Sequence, residues 1–533
     1  MKVFSNLSWT LLFCVQISQS TTLFQTSERR DSGVKLGIGR RKGDTDSGVR
    51  DNANYCPGNS EYEMYCKCKS RKKGLDITCR DVDMEKLKAD CVKLKSKERN
   101  IRYFKISDSY LPKLEDYLFL GLKIEHLIIN NCSIRSVSRS ALSSQGNTLK
   151  HLVMSDNKFE EIPSHAIRGL RELEHLNLNS NLIKVVRNEA FKGLSKVTRL
   201  SLYNNQIHKI ENNAFDGLTS LLIRNEVQGN KSRDLIRLNL VRNDLKSVPH
   251  SSINNLKNLD RLDLSENKID EIHAGEFYGL EKLDTLILND NQITALTENN
   301  FEDLDGLTSL YLDRNQISQI HENAFIGLEE NLQSLTLTGN KLTEFPSEAL
   351  RKLHQLTTLH IDDNSVTTIY ENSFQGFGEH IRNLWFQNNH INNIPAPAFQ
   401  YLHSLEWIKL YNNELKTLSY ELMEPVLDTL MHIDIHSNPL ECDCNLRWYR
   451  QWITEEWNEI DEDWLKDTYC QDPSDNDREH NIAEVAISHM FCEDEYLDKF
   501  AVDDGGGAST YSKDLTNYTT LFIVIWKLLG YYN

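Results

Sequence analysis

Asparagine returns at one phase about every 24 residues along most of this chain, at Asn157, Asn181, Asn205, Asn243, Asn267, Asn291, Asn315, Asn340, Asn364, Asn389, Asn413 and Asn438. Written from Leu173, one unit reads LEHLNLNSNLIKVVRNEAFKGLSK; the next, from Val197, reads VTRLSLYNNQIHKIENNAFDGLTS. Leu-rich helices that repeat by coincidence would not hold a polar residue at one fixed phase. The chain is therefore expected to lay down one similar coil per unit and to bury a continuous core between neighbours. Leu176 and Leu178 alternate with polar residues, as a short strand with one inward face requires. The Asn amide both donates and accepts, so inside a turn it can satisfy backbone groups that would each cost about 1–3 kcal/mol if buried unpaired. Phe191, Phe215, Phe277, Phe301, Phe325, Phe374 and Phe399 then fill the other side of the core.

Two leading units are degenerate, with Ser109 and Cys132 in the Asn place. Between Asn205 and Asn243 the spacing grows by about half a repeat. The extra residues, near 222–234, read LIRNEVQGNKSRD. A bulging loop and an artefact of the sequence or its splicing are both open readings.

The first twenty residues read as a secretory signal, with Lys2 as its charge, Trp9 to Ile17 as its apolar stretch and Ser18 and Ser20 before the cut. Residues 21–55 repeat DSGVK as DSGVR and carry too little apolar surface to fold, so they are expected to be a disordered linker. After cleavage the cysteines form two clusters: Cys56, Cys66, Cys68, Cys79, Cys91 and Cys132, then Cys442, Cys444, Cys470 and Cys492. Behind a signal peptide, C-x-C spacings favour disulfides over a zinc site, so no metal is expected.

From about residue 56 to 495 the chain resembles the "typical" extracellular leucine-rich repeat, LxxLxLxxNxIxxIxxxAFxxL. NPLECDCNLRWYRQW, from Asn438, resembles the C-terminal flanking cap of such proteins, and CPGNSEYEMYCKCKSRKKGLDITC, from Cys56, the N-terminal one. The resemblance implies an α/β leucine-rich-repeat solenoid, a horseshoe with a concave parallel β-sheet, an irregular or short-helical convex side and disulfide caps at both ends. It places the N-terminal cap at 56–98, about 14 repeats at 99–440, the C-terminal cap at 441–495 and a linker at 496–520. It also implies the pairings Cys56 with Cys68, Cys66 with Cys79, Cys442 with Cys470 and Cys444 with Cys492. The spacing from Cys56 to Cys66 is longer than the family's, and Cys91 has no family counterpart. Whether Cys91 meets Cys132, or Cys132 is a free thiol in an Asn position, stays open. Caps are physically reasonable, because a solenoid otherwise ends in an open strand edge and an exposed apolar cross-section.

No nucleophile elbow, HExxH or Walker loop occurs, so the chain is expected not to be an enzyme and to need no cofactor. Recognition residues are the better candidates. His126, His151 and His175 share the third position of their units, where stacked strands about 4.8 Å apart would align them with Arg199, Arg237 and Arg261 in one basic stripe on the concave sheet. Six merely solvated side chains are the alternative. Further along, the outward positions turn aromatic at Tyr311, His360, Trp385, Trp407 and Tyr411, with the two tryptophans on neighbouring strands. Exposed Trp and Tyr are enriched at binding hot spots, although this pair could instead cover the sheet where the cap packs.

The net charge of −18 is uneven. Acidic residues crowd the stretch from Glu441 to Asp504, while Lys67, Lys69, Arg71, Lys72, Lys73, Lys86, Lys88, Lys93, Lys95, Lys97 and Arg99 make the other end basic. That end could dock a sulfated glycan, or simply be a solvated cap. Asn131, Asn230 and Asn517 lie in glycosylation sequons. The hydrophobic tail 521–533 spans roughly 20 Å against a bilayer core of about 30 Å. Preceded by Gly505 to Ser509 and a polar spacer, it has the order of a glycolipid-anchor signal, which Lys527 interrupts; simple secretion and a truncated span are the alternatives.

The expected function is a secreted or cell-surface scaffold that binds a protein ligand or receptor on its concave face in adhesion or receptor-like recognition. It is similar to arthropod-type glycolipid-anchored leucine-rich-repeat adhesion proteins. A soluble matrix protein or binding subunit is the alternative, by likeness to the non-catalytic subunit of a crustacean luciferase. Homodimerisation is open, and no nucleic-acid partner is expected.

Overall fold

Each Leu-x-Leu segment forms a three-residue strand whose middle residue points inward. In the computed structural model Leu152, Leu176, Leu200, Leu238, Leu262, Leu286, Leu310, Leu335, Leu359 and Leu384 are all buried at this position. Each pairs in register with its counterpart one coil away, as in the parallel ladder Leu176, Leu200, Leu238 and Leu262. The sheet has 16 strands in chain order among the described residues. Its first strand, Lys67–Arg71, is antiparallel to Gly74–Arg80, and the later pairings are parallel. Setting those two cap strands aside leaves 14 of the 16, one per unit from Asn100–Ser107 to His432–Asp434.

The structure describes residues 56–57, 64–95, 100–219, 234–456, 467–472 and 478–490, all within the unit Asn52–Asn533. The expected signal at 1–20, the linker at 21–55, nearly all of the insertion near 222–234, Asn230, Asn517, Cys492, the linker at 496–520 and the tail at 521–533 lie outside the described residues.

Away from the sheet the units take short local forms: single helical turns, 3-10 turns, two-residue strand pairs and plain turns. Where Pro precedes the return segment, at Pro163, Pro249 and Pro346, a single helical turn follows: Ser164–Ile167, His250–Ile253 and Ser347–Leu350. Proline presets φ for such a turn and has no N–H to leave unpaired. In other units phenylalanines stack from coil to coil: Phe191 on Phe215 at 5.8 Å, then Phe277 on Phe301 and Phe301 on Phe325 at 6.1 Å. Gly193 ends one plain turn at φ +90°, where a Cβ would lie 2.2 Å from the Arg168 carbonyl of the preceding coil. Only glycine accommodates both that backbone and that approach.

The asparagines form a continuous ladder. Asn315 donates from Nδ2 to the Leu288 carbonyl of the preceding coil and to the Leu312 carbonyl of its own, both at 3.0 Å, and its Oδ1 accepts from the Ile293 amide at 3.2 Å. The same three contacts recur at Asn181, Asn267, Asn364, Asn389 and Asn413. In the degenerate units Ser109 Oγ accepts from the Val82 amide and donates to the Ser107 carbonyl, and the Cys132 thiol donates to the Asn130 carbonyl at 3.2 Å. The ladder also closes across the insertion. Asn243 accepts from the Ile207 amide 36 residues earlier, where Asn205 accepts from Ile183 at a separation of 22.

Both ends of the sheet are covered. At the N-terminal end the helix Met84–Leu94 is capped by the Asp83 carboxylate and buries Leu87, Cys91 and Leu94. Its fully buried Asp90 accepts from the Cys66 amide at 2.7 Å. At the other end Leu446, Trp448, Tyr449 and Ile453 bury their side chains, and the Trp448 indole donates to the Leu418 carbonyl at 2.8 Å. Disulfides join Cys56 to Cys68, Cys66 to Cys79 and Cys442 to Cys470. Cys444 is also disulfide-bonded. The open question about Cys91 and Cys132 is answered: they do not pair, and both are buried free thiols. Burial pushes them up to about 12 and about 11, so neither is a thiolate at neutral pH.

Candidate recognition face

Parallel pairing puts residues of the same unit phase into columns running across the sheet. One column reads Tyr103, His126, His151, His175, Arg199, Arg237, Arg261. Its rings touch successively: Tyr103 stacks on His126 at 4.4 Å, His126 meets His151 edge-on at 4.4 Å, and His151 lies 4.1 Å from His175. The expected alignment is therefore present, but the expected charge is not. Burial within the stack pushes His126 and His175 down to about 4, with the neighbouring His151 adding to the shift, and burial lowers His151 as well. At neutral pH the three imidazoles are uncharged. The stripe is basic only over the exposed Arg199, Arg237 and Arg261.

A second column, two residues further along each strand, contains Tyr311, Thr336, His360, Trp385, Lys409 and Asp434. Here His360 and Trp385 stack at 4.0 Å with their planes 9° apart. Trp407 belongs to the first column, opposite Asn383 and His432, and stacks on His432 at 4.6 Å. Tyr411 stacks on His436, also at 4.6 Å. The two tryptophans thus sit on neighbouring strands but in different columns, each with its own histidine. Trp407 remains 38% exposed, so the adjoining cap does not cover it.

Sequence reading missed His432 and His436, although each lies 25 residues beyond Trp407 and Tyr411 at the same unit phase. Carboxylates underlie these rings. His436 Nδ1 is 2.6 Å from Asp434, His360 Nδ1 is 3.5 Å from Asp362, and both acids are buried. Burial, then the nearby Asp434, raises the Tyr411 phenol, which keeps it a hydrogen-bond donor. The result is an aromatic surface over negative charge, suited to Arg or Lys side chains through cation–π contact and charge pairing.

The arginines and the aromatics do not converge. Arg261 and Trp407 are six strand steps apart, roughly 29 Å at sheet spacing. The column between them is polar and small: Thr285, Ser309, Ser334, Thr358 and Asn383.

Two further expectations are modified at the N-terminal end. Of the basic cap, Arg71, Lys86, Lys88 and Lys93 already pair with Asp76, Asp83, Glu115 and Asp90, which reduces its free positive charge. Asn131 is exposed at φ +52°, but its Nδ2 donates to Asp108 at 2.9 Å, a contact that glycosylation would have to displace. His151, Glu174 and His175 bring donor atoms within 4.8 Å of one another.

The Leucine rich repeat family matches residues 122–183, 171–223, 233–293, 281–330 and 330–379. Among solved structures, a leucine-rich-repeat protein of Leptospira interrogans is similar at 24% identity and a TM-score of 0.50, over 68% of this chain and 90% of that one. The TLR13–ssRNA13 complex is similar at 22% identity and a TM-score of 0.51, over 78% of this chain and 60% of that one. Among curated proteins none matches significantly. Similarity at this level of identity concerns the fold, and the family matched is a repeat family rather than a catalytic one. Ladder, sheet and family match agree: this chain is a leucine-rich-repeat solenoid with disulfides near both of its ends.

Proposed function

We propose that the chain is a non-enzymatic extracellular scaffold whose sheet face binds a protein partner, with Trp385 and Trp407 as anchors. The observation that carries this reading is the set of three ring-on-histidine stacks, His360–Trp385, Trp407–His432 and Tyr411–His436, on adjoining outward positions of the sheet. Those rings are not needed to fill the core, which is already closed by Leu384, Ile408 and Ile433 beneath them. Rigid aromatics that lose little freedom on docking are the usual source of hot-spot energy. The buried disulfides fit an oxidising compartment.

The test is an ectodomain-interaction screen with the secreted chain, followed by affinity measurement for its best ligand. The Trp385→Ala/Trp407→Ala double variant should bind at least tenfold more weakly and melt at the same temperature as the parent. Equal loss of binding and of thermal stability would make the pair structural and sink the assignment. Adhesion at the cell surface further requires attachment. Phosphatidylinositol-specific phospholipase C should then release the chain from cells, whereas its spontaneous accumulation in medium would favour a soluble matrix protein or binding subunit.

A further inference from the structure

We propose that His151, Glu174 and His175 form a binding site for a divalent transition-metal ion, zinc by the nature of its donors, at the N-terminal half of the sheet face. Two imidazoles and one carboxylate present ligand atoms all within 4.8 Å of one another. The two histidine rings lie on adjacent strands, tilted by 37° with centroids 4.1 Å apart. Tetrahedral zinc with bonds near 2.0–2.1 Å needs donors roughly 3.3 Å apart, a closure that rotation of three half-buried side chains supplies.

Glu174 is well held for this role. Its own carbonyl accepts from the Thr198 amide at 2.9 Å, so the ladder fixes the backbone from which its carboxylate extends. Two imidazoles and a single carboxylate suit zinc, copper or nickel; calcium and magnesium prefer several oxygen ligands. A water molecule would complete the coordination as the fourth ligand.

Nearby charge permits a cation. Lys150 is neutralised by Glu125 at 2.8 Å, and Arg199, the next residue in the column, is exposed to solvent. A bound ion would extend positive charge from Arg199, Arg237 and Arg261 into the neighbouring histidines, enlarging the cationic patch when loaded.

The experiment uses the secreted chain without a histidine tag, stripped with EDTA and dialysed, then titrated with zinc chloride by calorimetry at pH 7.4. Cobalt(II) serves as an optical probe of tetrahedral coordination. The expected result is one ion per chain at micromolar affinity or better, weakened at least tenfold by His175→Gln or by His151→Gln and unchanged by His360→Gln. Melting in EDTA at the parent temperature shows that each variant is folded. Absence of saturable binding, or binding that persists in the His151→Gln/His175→Gln double variant, overturns the proposal. The readout needs no partner, so its failure leaves the partner-binding assignment untouched.

Discussion

The two halves of the sheet face are built on the same ladder yet present opposite surfaces. From Tyr103 to Arg261 the outward column is a file of uncharged imidazoles followed by exposed guanidinium groups. From Tyr311 to His436 the outward residues include indole, phenol and imidazole rings beside the buried Asp362 and Asp434, with Thr336 and Lys409 among them. A solenoid that repeats its core therefore need not repeat its face. Asn and Leu carry the fold, and the positions between them are free to diverge into separate sites.

That contrast can be broken by experiment. The largest expected effect concerns what the halves share. Asn315→Leu leaves the Ile293 amide without its buried partner and removes one of the two Asn donors from each of the Leu288 and Leu312 carbonyls, which keep Asn291 and Asn340; the cost is about 2–6 kcal/mol, from about 1–3 kcal/mol for the amide and about 0.5–1.5 kcal/mol for each lost bond. Chemical denaturation should show a lowered midpoint, and an unchanged midpoint would refute the structural role of the ladder. Next is Gly193→Ala, which meets both a strained backbone and the Arg168 carbonyl and should cost about 2 kcal/mol or more by the same assay.

A separation of roles is expected in binding. The Trp385→Ala/Trp407→Ala variant should lose affinity mainly through faster dissociation. An Arg199→Ala/Arg237→Ala/Arg261→Ala variant should bind a few-fold more slowly at low salt and dissociate at the parental rate, as measured by surface plasmon resonance. If the arginines rather than the tryptophans control dissociation, the assignment of the two halves is reversed.

The smallest effect is on acid stability. His126 and His175 titrate at about 4 when folded, against about 6.5 for an unperturbed histidine. The unfolded chain therefore takes up protons first as pH falls. The stability these groups contribute is present above about pH 6.5 and is lost on descending toward about pH 4. In EDTA, a His126→Gln/His175→Gln variant should show a flatter dependence of melting temperature on pH over that interval; an equally steep one would show that the imidazoles are solvated.

What sequence reading captured follows from the nature of the repeat. Asn181 or Asn315 meets its partners in its own coil and the adjacent one, so phase alone predicts the contact. The same phase counting could have separated Trp385 from Trp407, which lie four and six residues before their ladder asparagines, and could have found His432 and His436. The charge of His126, His151 and His175 was not legible in this way. It depends on how much water a ring loses between its neighbours, a property of the stacked sheet rather than of any unit. Likewise, Cys91 and Cys132 are both buried free thiols, which spacing along the chain does not reveal.

The rung that Asn243 makes to Ile207 spans 36 residues, while its neighbours span 22. Register is thus kept by the coil ends and not by the amount of polypeptide between them. The stretch of sequence between Thr219 and Asp234 is a natural port for cargo: an epitope or a fluorescent module spliced there should leave both halves of the face aligned.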